Sequence, residues 1–217
     1  MPSTAISAQG TIVSIATGTG GAKTISGTVG VGNPTVLTAT SHGFSNGDVV
    51  AIAALTGADA ADLNGKSYVV QFKTTSTFAV AQDTTGKTIT VGSGTATPAT
   101  YTAVANVRSF SDFESGSAAE IDVTNFASTA KEYRLGLVDN GSFTMTIDHS
   151  NADAGQAALQ ARRIDGAATN MKVTLPSGTT PVASFSGLVK KFTKSAAVDG
   201  VVTASVDVRV NGAITWA

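Results

Sequence analysis

The sequence predicts a mainly β protein, a β-sandwich or barrel with one flanking α-helix and a small all-β module inserted near its N-terminus. Three observations support this fold class. The 217 residues include 23 glycines, together with abundant Thr, Ser, Ala and Val, a composition suited to short strands joined by tight turns. Several segments alternate apolar and polar residues, as half-buried strands do. One segment has the spacing and end signals of a helix.

The N-terminal part predicts strands at residues 11–16 and 23–26, followed by a glycine-rich linker at 27–34. A second linker is predicted at 92–98. Between the linkers lie five strand-like runs, separated by Asn-Gly and similar turn signals: 35–40, 49–53, 67–72, 78–81 and 88–91. We therefore predict two domains. Residues 33–98 form the inserted module, and residues 1–32 with 99–217 form a discontinuous second domain.

Longer strands follow in the C-terminal half. Phe143, Met145 and Ile147 alternate with polar residues, as do Met171 and Val173, so each strand should bury one face. Residues 188–194 and 200–210 predict a long antiparallel hairpin, whose buried positions are Val202, Ala204, Val206, Val208 and Val210.

A helix is predicted over residues 152–164, capped by Ser150 or Asn151 and stopped by Gly166. Its apolar residues are mostly small and fall on one side, so they predict a helix lying close against a sheet. These residues are Ala154, Ala157, Ala158, Ala161 and Ile164.

Composition excludes several functional classes. Charged residues make up 13% of the chain and the net charge is −1, so the basic surface of a tight nucleic-acid binder is absent. The chain has no cysteine, which excludes disulfides, cysteine zinc sites and thiolate nucleophiles. No apolar run reaches the ~20 residues that cross a bilayer, and the first residues show no secretion signal. We predict no membrane association, and export, if any, inside an assembled particle.

No group of residues predicts catalysis, a metal site or a cofactor. His42 and His149 lie in different predicted domains and have no HxH or HxxxH spacing. Gly18–Gly21 lacks the Gly-Lys-Ser/Thr ending of a phosphate loop. Acidic residues between 112 and 122 do not match a calcium loop, and the pattern is that of a solvated or inter-subunit loop. We predict that the protein is not an enzyme.

The segment 109–130 is a candidate interface. It mixes polar and acidic residues with aromatics, and aromatics on such a loop favour contact with another subunit. The candidate interface residues are Phe110, Asp112, Phe113, Glu114, Glu120, Asp122 and Phe126.

The middle of the chain resembles the major tail tube proteins of siphophages. The motif blocks are EIDVTNFAS at 120–128, AKEY at 130–133 and GLVDNG at 136–141, in the order of that family. The resemblance continues through residues 142–148, the helix and the closing hairpin. The inserted module resembles phage-borne β-barrel repeats related to a half-domain of ubiquitin-activating enzymes, through TATSHGFSNGDVV at 38–50, LNGKSY at 63–68 and TF at 77–78.

The tail tube resemblance implies a structural subunit of the virion, synthesised in the host cytoplasm. Such subunits form hexameric rings that stack into a tube, meet tape measure and other tail proteins, and let viral DNA pass without sequence-specific binding. The segment 109–130 would then be the ring-stacking loop. The alternative from composition is an extracellular β-sandwich adhesin or carbohydrate-binding module, which would explain the Thr/Gly-rich strands and the inserted module.

Overall fold

The computed structural model describes residues 8–176 and 181–217. Residues 1–7 and 177–180 belong to the predicted discontinuous domain and lie outside the described residues. The elements are β1 (Ile12–Thr19), β2 (Lys23–Thr24), β3 (Ser26–Gly30), β4 (Thr35–Thr38), β5 (Val49–Ala53), a 3-10 turn (Ala60–Asp62), β6 (Lys66–Gln71), β7 (Thr77–Val80), β8 (Thr95–Ala103), β9 (Val107–Ser111), β10 (Ser117–Asp122), β11 (Tyr133–Asp139), β12 (Ser142–Asp148), α1 (Ala154–Asp165), β13 (Thr169–Thr174), β14 (Val182–Ser195) and β15 (Thr203–Trp216). The predicted mainly β fold with one helix is confirmed.

The chain forms two compact units. The first contains residues 1–104, 170–184 and 215–217, and the second contains 105–169 and 185–214. In the first unit the strands pair in the order β3-β4-β7-β6-β5-β8-β1-β13, with β2 also paired to β8. In the second unit the order is β14-β15-β12-β9, and β10 and β11 form a separate two-stranded sheet.

The N-terminal strands of the first unit surround their own hydrophobic core. This core runs from Ile25 to Ala96 and has fully buried Leu37, Ile52 and Phe78 at its centre. The strand predictions at 35–40 and 49–53 are confirmed by β4 and β5. The run at 88–91 was predicted as a strand and makes only one isolated bridge, between Thr56 and Thr90.

Both predicted linkers contain strands. β3 occupies part of the segment 27–34 and pairs with β4 through an irregular register, which the left-handed Gly27 (φ 71°) makes possible. β8 begins inside the segment 92–98 and places Pro98 opposite Val50. The threonines on either side favour an extended chain. This preference outweighs the loss of a backbone hydrogen bond at Pro98, which has no N–H to donate.

A charged pair joins the turn at residues 47–48 to β13 within the first unit. Lys172 Nζ lies 2.6 Å from Asp48 Oδ1, and both side chains are mostly buried. The same ammonium group sits 4.1 Å from the ring centre of Tyr101 on β8. Beside it, the Ser184 hydroxyl donates to the carbonyl oxygen of Gly47 at 2.7 Å. These polar contacts fix the turn at residues 47–48.

The second unit is built around the alternation that the sequence predicts. Phe143, Met145 and Ile147 of β12 are fully buried, and β15 pairs with β12 along its length. The predicted inner positions of the hairpin are also buried, except Val202, which precedes β15 and is 40% exposed.

The helix α1 ends as predicted but faces the other way. Gly166 is the left-handed C-cap, whereas the N-cap is Asp153 rather than Ser150 or Asn151. The buried residues are Gly155, Gln156 and Leu159, while the predicted apolar face is largely exposed, with Ile164 77% accessible. The prediction was wrong because alanines bury little surface, so hydrogen bonds of Gln156 determine the orientation instead.

Those hydrogen bonds saturate the Gln156 amide. Its Nε2 donates to the carbonyl oxygens of Ala105 (3.0 Å) and Asp148 (2.9 Å). Its Oε1 accepts from the Ser150 backbone N–H at 2.9 Å and lies 3.1 Å from His149 Nδ1. A buried polar residue therefore locks α1 to the chain segments that flank it in the second unit.

Candidate assembly interface

The most exposed apolar surface of the second unit lies on a β-hairpin formed by β10 and β11, residues 117–139, which we call the arm. Among the described residues its strands pair only with each other, in a register that shifts between Ala118 and Glu120. A lone two-stranded sheet has no second layer and cannot bury its own side chains. The arm thus shows both backbone edges and both faces to its surroundings.

Large apolar side chains cover this arm. Leu137 is 96% exposed, and the others are at least half exposed: Ile121, Phe126, Tyr133, Leu135 and Val138. Apolar exposure of this kind is typical of a surface that another molecule covers. The sequence prediction overlooked the β11 residues because they lie beyond residue 130, although the alternating pattern YRLGL is a strand signal.

The base of the arm is held by polar contacts. The Arg209 guanidinium forms an ion pair with Asp139, and Gly141 N–H donates to Asp139 Oδ1 at 2.9 Å. Asn140 Nδ2 donates to the Gly212 carbonyl oxygen at 2.6 Å. The Gly141 N–H, followed by the Arg209 side chain, holds the pKa of Asp139 below its usual range.

The tip of the arm is a structured turn. Asp122 accepts from Thr124 N–H at 2.9 Å and forms an ion pair with Lys131 at 3.1 Å. Hydrogen bonds from Thr124, followed by one from Lys131, lower the pKa of Asp122. Next to them Phe126 projects fully into solvent and lines an open hollow of about 290 Å³ with Thr124 and Asn125.

The structure separates the candidate interface residues into two groups. Phe110 and Phe113 are half-buried, with ring centres 5.7 and 5.5 Å from that of Phe143. They belong to an aromatic core beside residues 112–114, where the chain enters the arm and which we call the root. Phe126 is exposed on the arm itself. The acidic residues are spread between root and tip: Asp112, Glu114, Glu120 and Asp122.

The root adopts an unusual backbone conformation. Asp112 (φ 60°) and Glu114 (φ 58°) both occupy the left-handed region, which non-glycine residues rarely adopt. Between them Phe113 packs with its ring centre 5.6 Å from that of Phe185. The aromatic contacts hold this turn in place, and the strained turn directs the chain from β9 into the arm.

Both histidines have structural contacts. His42 is buried, accepts from Phe44 N–H at 2.9 Å and lies 3.2 Å from the Thr77 carbonyl oxygen. His149 contacts Gln156, as described above. Across residues 8–176 and 181–217 no His, Asp and Glu side chains converge in a group that could hold a metal ion. No helix in this part of the chain is long and apolar enough to span a membrane.

Comparison with solved structures finds several phage-related tail proteins. The chain is similar to a subunit of the tail of an empty gene transfer agent particle, refined with C6 symmetry, at 17% identity and a TM-score of 0.44, over 54% of this chain and 86% of that chain. It is similar to the SPP1 tail tube at 15% identity and a TM-score of 0.43, over 54% and 67%. It also resembles a subunit of the anti-feeding prophage baseplate at 11% identity and a TM-score of 0.43, over 54% and 84%.

The family assignment comes from the sequence comparison. No curated protein matches the chain. A family model described as lambda phage tail tube protein matches residues 84–217, more than half of the chain, and this stretch contains β8 to β15 with the arm and α1. The predicted tail tube resemblance is confirmed, and the chain belongs to the lambda phage tail tube protein family, whose members are structural, non-enzymatic components of the phage tail.

Proposed function

We propose that copies of this subunit assemble into hexameric rings that stack into a tail tube, the conduit for genome ejection, and that the arm makes the contacts between rings. The observation that carries this proposal is the arm's exposed apolar surface. Six large apolar side chains on one hairpin would be costly in a protein that stays monomeric. Family membership supplies the partner, which is a second copy of the same chain.

The arm offers two kinds of contact to a neighbouring copy. Its unpaired strand edges can extend a sheet across subunits. Its apolar side chains can bury themselves in the neighbour, with Phe126 as the exposed anchor at the tip. Phe110 and Phe113 act at the root, where they support the arm by packing on Phe143. The acidic candidates would then set the polar rim of the contact.

Two glycines provide a matched test of the arm. A Cβ on Gly116 would overlap the backbone of Asp139, whereas a Cβ on Gly136 would come no closer than 3.4 Å to any other group. We expect Gly116→Ala to displace the arm from its root and to prevent tube formation, and Gly136→Ala to leave tubes intact. Electron microscopy under assembly conditions reads out tubes, and circular dichroism reads out the fold.

Surface variants separate specific contacts of the arm from non-specific association through exposed apolar side chains. We expect Phe126→Ser or Leu137→Ser to yield folded subunits that do not form tubes. Val198→Ser is the control, because Val198 is equally exposed in the turn between β14 and β15, outside the arm. Tubes of normal length and number from both arm variants would overturn the proposed role of the arm. Wild-type protein that never forms rings or tubes would overturn the assembly proposal itself.

Several cations of the second unit are paired with carboxylates, which suits a channel that does not bind DNA. Arg108 Nε lies 2.6 Å from Asp148, Lys190 Nζ lies 3.9 Å from Asp207, and Arg209 is paired with Asp139. Cations that carry their own counter-ions hold phosphate weakly. We propose that viral DNA passes such a surface without sequence-specific binding and that the tube surrounds a tape measure protein before ejection.

We also propose that residues 33–98 form a module that ring formation does not need. The separate hydrophobic core of this region supports the proposal. In the test, a short Gly/Ser linker replaces residues 33–98. Ile25→Ser and Val29→Ser accompany the deletion, because both side chains belong to that core. Tubes from this variant are expected, while loss of tubes with a retained fold would place the module in the tube wall.

A further inference from the structure

An open pocket lies between two loops of the first unit. It has a volume of about 340 Å³ and is lined by residues 41 and 43–45 on one side and 73–75 on the other. Ligand pockets in proteins have volumes of about 300–1,000 Å³. The pocket can therefore accept a molecule of the size of one sugar ring.

Its walls are held in place by hydrogen bonds. Buried His42 ties the first loop to β7 through Phe44 N–H and the Thr77 carbonyl oxygen. The Thr74 hydroxyl bonds the Thr77 hydroxyl at 2.8 Å and accepts from Thr77 N–H at 2.9 Å. Lys73 N–H donates to Asn46 Oδ1 at 3.0 Å and joins the two loops. The pocket is thus formed before any ligand arrives.

Each of the two loops that line the pocket begins at, or directly after, a residue with a strained backbone conformation. Ser41 (φ 48°) and Phe72 (φ 46°) both lie in the left-handed region, which is strained for non-glycine residues. The conformation at Phe72 leaves its ring 73% exposed, directly before Lys73 in the chain. Strained residues of this kind are concentrated at ligand-binding sites.

Several polar side-chain groups of the pocket have no partner in the described part of the structure. Within the described residues, the Lys73 ammonium group has no ion-pair partner, and the hydroxyls of Ser41, Ser45 and Thr75 make no hydrogen bond. Within the described residues, Lys73 is the charged side chain that lines the pocket; the nearby Asp48 carboxylate, which accepts from Ser45 N–H at 2.7 Å, is neutralised by its ion pair with Lys172. Buried Phe44 supplies an apolar floor. The chemistry is a cation, several hydroxyls and aromatic surface.

From this combination we infer that the pocket binds an acidic sugar, a pyranose ring whose carboxylate pairs with Lys73 while its hydroxyls bond the serine and threonine side chains. The site goes beyond the tube function and does not depend on assembly. It would give the tail a contact to acidic glycans while the arm holds the rings together.

The test is saturation-transfer NMR of D-glucuronate with the full-length protein, which works for free subunits and for tubes. We expect saturable binding of glucuronate, with glucose and acetate each binding at least about tenfold more weakly, because each lacks one part of the recognised group. Lys73→Ala should weaken glucuronate binding about tenfold.

Lys23→Ala is the control, since Lys23 lies on β2 and does not line the pocket. It should bind like the wild type. Circular dichroism and the unfolding midpoint confirm that Lys73→Ala, a change at an exposed side chain, leaves the fold unchanged. Absence of saturable glucuronate binding, equal binding of glucose or acetate, or equal binding by Lys73→Ala and the wild type would each overturn the inference.

Discussion

Replacement of Gln156 by leucine should destabilise the protein far more than its position on a surface helix suggests. Leucine has a similar volume but forms no hydrogen bonds, so four groups lose their partner: the carbonyl oxygens of Ala105 and Asp148, the Ser150 N–H and His149 Nδ1. Each lost bond costs about 1 kcal/mol net, and more where the abandoned group stays dry.

Partial exposure reduces this penalty, because water can reach some of the abandoned groups. We therefore expect Gln156→Leu to lower the free energy of unfolding by about 3 kcal/mol. For a chain of 217 residues this corresponds to a fall in melting temperature of about 10 °C. Urea denaturation followed by circular dichroism measures the free energy, provided the subunits are kept monomeric.

Gln160→Leu is the matched control. Gln160 lies one turn further along α1, is half-exposed and makes no side-chain hydrogen bond within the described residues, so its replacement should change stability by less than about 0.5 kcal/mol. A Gln156→Leu variant as stable as Gln160→Leu would refute the idea that the Gln156 amide orients the helix.

A second variant tests the direction of the bonds. Gln156→Glu keeps the acceptor but turns an oxygen towards the two carbonyl oxygens, so the buried carboxyl should stay protonated at a raised pKa. A group with a raised pKa in the folded state contributes its stability at low pH and loses it as pH rises. The defect of Gln156→Glu should thus be smaller at acidic than at neutral pH in the same denaturation assay.

Three further predictions concern the two units. Tyr101→Phe should raise the free energy of unfolding by about 1 kcal/mol in urea denaturation. The Tyr101 hydroxyl is buried without a partner within the described residues, and burial, followed by the charge of Asp48, raises its pKa. A loss of stability in Tyr101→Phe would reveal a hydrogen bond to that hydroxyl. Lys172→Met should lower the same quantity by about 2 kcal/mol, since it leaves Asp48 without its counter-ion, and adding Asp48→Asn should restore part of the loss. The pKa of Asp139 is lowered in the folded state, so the contribution of its carboxylate to the free energy of unfolding is present above the ordinary pKa of about 3.8 and is lost on acidification. The stability difference between wild type and Asp139→Asn should therefore shrink as pH falls. A difference independent of pH would contradict the ion pair with Arg209.

The strands with strict alternation were predictable because one face of each is buried within its own unit. Residues 49–53 form β5 as predicted, and the alternating apolar positions of β12, and of β15 as far as Val210, are buried. For such strands the period of two is sufficient information, since a shift of one residue would expose every apolar side chain. The C-terminal end of α1 was predictable for a similar local reason, because Gly166 adopts a conformation that favours glycine.

The face of α1 was not predictable in this way. Its alanine stripe has the correct period, but alanine gains too little from burial to fix the rotation of a helix. The outcome depends on Gln156, whose partners come from two other stretches of chain, at Ala105 and at residues 148–150. A polar residue looks like a surface residue in a sequence, and only tertiary contacts reveal that it is satisfied when buried.

The arm could not be predicted as a pair of strands because its pattern does not describe a monomer. Tyr133, Leu135 and Leu137 alternate as in a buried strand, yet the single chain leaves all three at least half exposed. The prediction limited the interface to residues 109–130 because aromatics on a loop were the visible signal. If the arm docks on a second copy, the alternation in β11 is an ordinary burial pattern whose other half lies on the neighbour. The sequence of the arm then encodes the assembled tube, and tests on isolated subunits will find these residues dispensable for folding.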